Sequence, residues 1–284
     1  MTILVTGASG HLGHLVVDAL LQRGASASDI IASGRDVAKL SDLADRGVLT
    51  ARVDFDDPAT IAAALDGVDT VLLISTSEPG KRYPGHKNVI DAAVAAGVAK
   101  FVYTSLSKAT TFDWPLGAEH HATEEALVAS GLPTVILRND WYLENYAAYV
   151  QRAAESGVIA AAVGDATVAA AARADYADAA AVALLEDGHL GKVYELAGDV
   201  AFSYDDLAAA AAEVLGRDVT YVRLTHDELV AGLKGAGLDE QIAQFVAGLD
   251  DGIREGVLSS TDGTLSRLIG RPTTTLVDGL RAAL

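Results

Sequence analysis

Apolar positions along the first half of the chain fall in short blocks, not singly. Mainly apolar runs at Ile3 to Val5, Ile30 to Ser33, Leu49 to Val53, Thr70 to Ile74, Phe101 to Thr104 and Pro133 to Arg138 predict six strands. Stretches between them predict helices, one following the first strand and others over 37–46, 59–65, 86–96 and 118–129. Asp57-Pro58 is a cap followed by a first-turn proline, and Gly97 and Gly131 are stop signals. Strands that do not alternate with polar residues are buried on both faces. With right-handed crossovers, strand–helix alternation gives an α/β fold, a doubly wound parallel sheet of the Rossmann type.

Beyond residue 150 the pattern loosens. Val193 to Leu196 and Val219 to Val222 read as strands, Tyr204 to Leu215 as a helix, and the alanine-rich stretch 160–174 as a small-residue strand. These predict a smaller mixed C-terminal lobe. The expected division is a dinucleotide-binding domain over 1–150 and a substrate-side lobe over 151–284, packed closely on the first.

In a doubly wound sheet the ligand sits at the carboxyl ends of the strands, so the residues after each strand matter most. The first strand runs into Thr6-Gly7-Ala8-Ser9-Gly10-His11-Leu12-Gly13, with glycines three apart and an apolar helical run behind them. Gly7 suits a sharp turn, Gly10 a close approach to phosphate, and Gly13 close helix–strand packing. The free N–H groups of the first helical turn would then face a pyrophosphate. A glycine-rich turn without a ligand is the alternative, weakened by the strand before it and the alternation after it.

After the second strand, Ser33-Gly34-Arg35-Asp36 places an arginine where a ribose 2′-phosphate would lie, which points to NADPH. The alternative is a solvated Arg35 paired with Asp36. After the third and fourth strands, Asp54-Phe55 would lie beside the adenine and Ser75 to Pro79 would run along the cofactor. Ser105, after the fifth strand, could polarise a carbonyl. The tyrosine and lysine that serve as acid and pKa-lowering partner in short-chain dehydrogenases are missing from the next helix, which carries His120-His121-Ala122-Thr123-Glu124. Tyr83 and Lys87 have the right spacing but fall in the loop after strand four, where Pro84-Gly85 spoils helical alignment. His121 could donate a proton; a surface histidine is the alternative. Tyr142, Tyr146 and Tyr149 share one face if the segment is helical, as a wall for a flat substrate or as core.

Composition narrows the picture. The chain has 284 residues, 50% of them hydrophobic, enough for a sizeable core. It shows no apolar run near the ~20 residues of a membrane span and no signal-peptide pattern. Cysteine is absent, which excludes disulfides, thiol nucleophiles and thiolate metal sites. These features predict a cytoplasmic protein. A formal net charge of −18 argues against nucleic acid and anionic membranes as partners.

Several motifs together resemble the NmrA-like atypical short-chain dehydrogenases. They are the 6–13 turn, Tyr103-Thr104-Ser105-Leu106, the run Leu137-Arg138-Asn139-Asp140-Trp141-Tyr142-Leu143-Glu144-Asn145-Tyr146, Arg173-Ala174-Asp175-Tyr176, Lys192 to Gly198 and Leu268 to Thr274. Within that family the chain is most similar in kind to type 2 NADPH:quinone oxidoreductases, with triphenylmethane reductases as near relatives. The resemblance implies NADPH held by the turn of Gly7, Ala8, Ser9, Gly10, His11 and Leu12, with Arg35 at the 2′-phosphate. It implies a nicotinamide side lined by Ser77, Glu78 and Pro79 and by Asp140, Trp141, Tyr142, Leu143, Glu144 and Asn145, with Arg173 reaching the same cleft. Asp140 departs from the glycine expected in quinone reductases, and a carboxylate there could narrow the pocket or repel anionic substrates.

The expected function is direct hydride transfer from NADPH to a flat, electron-poor acceptor such as a quinone. Such an acceptor needs little acid catalysis, which fits the missing tyrosine; no side chain is assigned as catalytic. The alternative is a non-catalytic NmrA-type protein that senses NAD(P) and acts through protein partners. An epimerase or carbonyl reductase is disfavoured, because both need the tyrosine.

Overall fold

A computed structural model describes residues 1–284 apart from Ser77 and Pro79. In chain order, its first elements are β1 (Ile3–Val5), α1 (His11–Gln22), β2 (Ile30–Gly34), α2 (Ser41–Asp45), β3 (Leu49–Arg52), α3 (Pro58–Ala64), β4 (Thr70–Ile74) and α4 (Arg82–Ala96). Next come β5 (Lys100–Leu106), α5 (Gly117–Ser130), β6 (Thr134–Asn139), α6 (Ala147–Ser156), β7 (Val158–Ala161), β8 (Thr167–Val168), α7 (Arg173–Leu185) and β9 (Val193–Leu196). The last are β10 (Phe202–Ser203), α8 (Tyr204–Leu215), β11 (Thr220–Arg223), α9 (His226–Gly235), α10 (Glu240–Arg254), α11 (Thr264–Ile269) and α12 (Leu276–Ala283).

The chain divides into two compact units. The first comprises 1–110, 116–139 and 173–195; the second comprises 111–115, 140–172 and 196–284. This interleaving differs from a single cut at residue 150, because α7 and β9 return to the first unit after the chain has entered the second.

The first unit is a seven-stranded sheet in the order β3-β2-β1-β4-β5-β6-β9. Its strands are parallel, and β9 advances in step with β6: the Ile136 and Asp140 N–H groups donate to Lys192 O and Leu196 O at 3.0 and 2.9 Å. So Val193 to Leu196, expected in the smaller lobe, is the edge strand of the main sheet. The order reverses between β1 and β4, and ligands of such sheets bind at that reversal. Strand β4 shows why these runs become central strands: four of its five residues are buried, with no polar face to present.

Local signals set most boundaries. Asp57 caps α3 by accepting from Ala59 N–H, with Pro58 at the first helical position. α4 begins at Arg82, four residues earlier than the sequence predicts, and so includes Pro84 and Gly85. A first-turn proline loses no helical hydrogen bond. Gly85 sits where a Cβ would come 3.0 Å from Phe55, so close packing accounts for the glycine. The 37–46 segment is a 3-10 turn over Val37–Leu40 followed by the short α2, not one helix. The alanines of α7 are buried along α1, where small side chains let two helices on one sheet face approach closely.

The second unit has two small sheets, β10 with β8 and β11 with β7, and six helices from α6 onward excluding α7. The stretch 160–174 ends β7, forms β8 and then starts α7, so it is not one strand. Among the described residues no helix is long and apolar enough to cross a membrane.

Candidate active site

In the first unit, the carboxyl ends of the central strands are tied together by threonines. Ile74 N–H donates to Thr6 Oγ1 and Ser75 N–H to Thr104 Oγ1, both at 3.0 Å. The glycine turn starts from this edge. Gly7 has φ +63, a left-handed conformation that favours glycine. Ala8 N–H donates to Ser33 O at 2.8 Å and Gly10 N–H to Gly7 O at 2.9 Å, which locks the turn against β2. Gly7, Ser9, Gly10 and His11 are exposed, while Ala8 and Leu12 are buried beneath them.

A Cβ on Gly13 would lie 2.4 Å from Gly7 O and 2.7 Å from Ala8 Cα, so only glycine fits. A Cβ on Gly10 would meet only Gly7 O, at 3.3 Å. The N-terminus of α1 has no side-chain cap and no acidic residue in its first turn. Its leading N–H groups and dipole therefore remain available to an anion, which is the fit a dinucleotide pyrophosphate requires.

Arg35 follows β2 and is exposed. Its guanidinium lies 3.3 Å from Glu78 Oε1, in the segment after β4. It does not pair with Asp36, which instead caps the following turn by accepting from Ala38 N–H at 3.1 Å. Two sequence-predicted site residues, Arg35 and Glu78, are thus brought together; Ser77 and Pro79 lie outside the described residues.

Thr76, Gly80 and Tyr83 are anchored by side chains of α4 and α5. Glu119 accepts from Gly80 N–H at 2.7 Å and Tyr83 N–H at 3.2 Å, and Arg82 Nε donates to Thr76 O at 2.8 Å. His86 accepts from Thr76 N–H at 3.3 Å on Nε2, so its Nδ1 donates to Thr123 Oγ1 at 3.1 Å. Burial, reinforced by Arg82, lowers its pKa to about 3, in keeping with a neutral ring. Nothing in the spacing of Arg82, His86 and Glu119 marked them as anchors, because the start of α4 reads as loop.

The helix after β5 does not carry the tyrosine–lysine pair. His120 is buried, with Nδ1 2.8 Å from Tyr103 OH; burial drives the histidine pKa down and the tyrosine pKa up. His121 is on the surface beside Glu125. Ser105 is buried and donates to Glu124 Oε1 at 2.6 Å, so its hydroxyl proton is already placed. Tyr83 and Lys87 do share a face of α4, contrary to the sequence expectation, but Lys87 is bound to Asp91 at 2.6 Å.

Glu124 also takes the guanidinium of Arg138, through Nε at 2.9 Å and Nη2 at 2.6 Å. Arg138 reaches Glu195 of β9 at 2.9 Å with its other terminal nitrogen. Its hydrogen bonds, that to Glu124 foremost, hold it firmly protonated. Arg173 is the half-buried first residue of α7.

In the second unit, Asp140 is buried and accepts from Trp141 N–H at 2.6 Å. Tyr142 is extended and bridges to Ala171; Leu143 is buried against Gly279 of α12, where a Cβ would meet it at 2.3 Å. Glu144 and Asn145 are half-buried in a 3-10 turn, Leu143–Tyr146, that precedes α6. The expected common face of Tyr142, Tyr146 and Tyr149 does not form, because Tyr142 lies before the helical segment. Tyr146 is fully buried among Tyr149, Phe202 and Tyr204, at ring distances of 5.6 to 6.1 Å, and is core.

The fold and the glycine turn define a dinucleotide-binding α/β protein of the short-chain dehydrogenase type that lacks the tyrosine–lysine pair. The chain belongs to the NmrA-like family, whose model matches residues 1–274. It is 46% identical to quinone oxidoreductase 2 of Escherichia coli strain K12 over 278 residues, 98% of this chain and 97% of that protein. The crystal structure of the E. coli NADPH-dependent quinone oxidoreductase QOR2 complexed with NADPH superposes with a TM-score of 0.95, over 99% of both chains. Citrobacter sp. triphenylmethane reductase complexed with NADP(H) is 36% identical, with a TM-score of 0.93 over 100% of each chain.

Proposed function

We propose that the protein is an NADPH-dependent reductase that delivers hydride to a flat, electron-poor acceptor such as a quinone. The observation that carries this reading is the uncapped α1 N-terminus behind a turn that needs glycine at positions 7 and 13, with Arg35 on the neighbouring strand end. The 46% identity to quinone oxidoreductase 2 over nearly the full length supports the acceptor class.

In this reading Gly7, Ala8, Ser9, Gly10, His11 and Leu12 hold the pyrophosphate and Arg35 the 2′-phosphate. Ser77, Glu78 and Pro79, the segment Asp140 to Asn145, and Arg173 line the nicotinamide side. The first unit is the cofactor body and the second the substrate-side lobe. NADPH, when bound, supplies the hydride. The chain supplies orientation and proximity, effects that account for much of catalysis when the chemistry resides in a cofactor. Its histidines and tyrosine near β5 are buried or on the outer surface, and none is needed as acid: a reduced quinone is a stabilised phenolate that water protonates.

A cofactor sensor without turnover would share the turn and Arg35. Likeness along the whole chain to named reductases, including the NAD(P)H azoreductase of Xenophilus azovorans at 29% identity, favours the enzyme. The net charge of −18 disfavours nucleic acid as a partner, and the cytoplasm is the compartment this reading implies. Stopped-flow oxidation of 4-deuterated NADPH by a benzoquinone should be saturable and show a primary isotope effect. No saturable NADPH oxidation across a panel of quinones and cationic dyes would sink the proposal.

A further inference from the structure

Both main-chain groups of Thr76, two residues past β4, are taken by side chains of α4. Its N–H donates to His86 Nε2 at 3.3 Å and its carbonyl accepts from Arg82 Nε at 2.8 Å. Arg82 and His86 are four apart on α4, so they share one face of the helix, and both are buried. Glu119 of α5 lies 3.9 Å from the Arg82 guanidinium and accepts from Gly80 N–H at 2.7 Å. Thr76 and Gly80 are therefore fixed from the same two helices.

His86 can hold Thr76 in one protonation form only. A ring nitrogen that accepts from an N–H carries no proton, so Nε2 is bare and Nδ1 holds the hydrogen. The same tautomer is dictated from the far side of the ring. Thr123 Oγ1 donates to Glu119 O, one turn back in α5, at 2.7 Å. Its one proton is spent there, which leaves it the acceptor in its 3.1 Å contact with His86 Nδ1. The Tyr103 hydroxyl also borders Thr123, whose oxygen has lone pairs for both. The plane of the His86 ring is fixed as well. Phe55 and Tyr103 lie edge-on to it, with centroids at 6.2 and 5.5 Å and planes inclined at 75° and 73°. A threonine bonded back to its i−4 carbonyl slightly weakens its own helix. What the Thr123 hydroxyl adds is a place for the Nδ1 proton.

We infer that Thr123 is a positioning residue for the cofactor, acting through His86. Its hydroxyl fixes which nitrogen of His86 carries the proton, His86 fixes the main chain of Thr76, and Thr76 is thereby presented to the nicotinamide half of NADPH in one position. A backbone already fixed loses less freedom on binding, and that raises affinity. The inference rests on the reading above that the residues after β4 line the nicotinamide side, and it adds the buried pair that fixes where they start.

Thr123→Val keeps the shape and removes the hydroxyl, Thr123→Ser restores the hydroxyl, and His86→Leu removes the acceptor itself. NADPH affinity, read by nucleotide fluorescence, should weaken about tenfold in Thr123→Val and His86→Leu, the scale of one hydrogen bond, and stay within about twofold of the parent in Thr123→Ser. The fragment 2′,5′-ADP lacks the nicotinamide half. It should bind the parent and all these variants within about threefold of one another, which also shows that the variants fold. By NMR of protein carrying isotope-labelled histidine, His86 is assigned from the signal missing in His86→Leu. It should be the Nδ1–H tautomer in the parent and in Thr123→Ser, and should depart from that form in Thr123→Val. A threonine with a merely structural role would move Tm and leave the tautomer alone. Three results would each overturn the inference by itself: unchanged NADPH affinity in Thr123→Val and His86→Leu, an equal loss of 2′,5′-ADP affinity, or the Nε2–H tautomer in the parent. A parent that binds neither NADPH nor 2′,5′-ADP would overturn it together with the cofactor reading.

Discussion

The guanidinium of Arg35 lies 3.3 Å from the carboxylate of Glu78, so the cation assigned to the 2′-phosphate already has an anionic partner. Both side chains are largely exposed, and such pairs contribute about 0–1 kcal/mol. A phosphate accepting charged hydrogen bonds from the same arginine is worth about 1.5–3 kcal/mol and wins the competition. Arg35→Ala should therefore weaken NADPH binding about tenfold to a hundredfold and leave NADH unchanged. Glu78→Gln should tighten NADPH by up to about fivefold at low salt, with the gain fading as salt screens the pair. Fluorescence titrations with both cofactors check this; an unchanged NADPH preference in Arg35→Ala would refute the assignment.

Gly10 and Gly13 should separate binding from folding. A Cβ at Gly13 meets backbone at 2.4 and 2.7 Å, atoms that cannot swing aside. Gly13→Ala should cost about 1–3 kcal/mol and lower Tm by several degrees, losing cofactor affinity with it. At Gly10 the added methyl meets one carbonyl at 3.3 Å but stands where the phosphates would approach. Gly10→Ala should keep its Tm and lose NADPH affinity by about tenfold or more. Equal Tm losses in the two variants would contradict this division.

The parts of the fold with a periodic signature were legible in the sequence. The glycine turn, the apolar strands and the Asp57-Pro58 start depend on local chemistry that one strand or turn displays by itself. The return of the chain to the first unit was not legible. Helix α7 is buried nearly all round by small alanines, so it has no polar face for a pattern to reveal, and β9 has the same look whichever sheet it joins. The Tyr142 expectation failed for a related reason: i, i+4 spacing places side chains on one face only where the backbone is helical, and Tyr142 is extended. The Trp114 indole lies where a Cβ on Gly252 of α10 would stand, and no local pattern links a loop tryptophan to a helical glycine so far along the chain.

Arg138 stabilises the β5–β6–β9 side of the first unit as part of a partly buried charge network. It is bound to Glu124 through two nitrogens and to Glu195 through a third. Removing the cation strands a carboxylate that is almost fully buried, which costs about 3–5 kcal/mol. Arg138→Met should show that loss in urea unfolding, and Glu124→Leu combined with Arg138→Met should recover a large part of it. A double-mutant cycle measures the coupling. A loss below about 1 kcal/mol in Arg138→Met would show the network to be dispensable.

Asp250 of α10 should make the second unit less stable as pH rises through weakly acidic values. Its carboxylate is buried and accepts from Ala162 N–H at 2.7 Å, among Tyr146, Tyr149, Tyr204 and Tyr221, with Asp251 and Arg254 nearby. Burial is the main cause that raises its pKa from 3.8 to about 6, and the Ala162 N–H and Arg254 only partly offset it. An acid whose folded pKa lies above its unfolded value binds its proton more tightly when folded. Stability is then unaffected below about pH 4, falls between about pH 4 and 6, and carries the full penalty above, about 3 kcal/mol at most. Asparagine keeps an oxygen for Ala162 and cannot ionise. Asp250→Asn should therefore raise Tm at pH 7.5 by several degrees and match the parent at pH 4. A Tm difference that is the same at both pH values, or a destabilised variant at pH 7.5, would show that Asp250 is not a charged group buried at a cost.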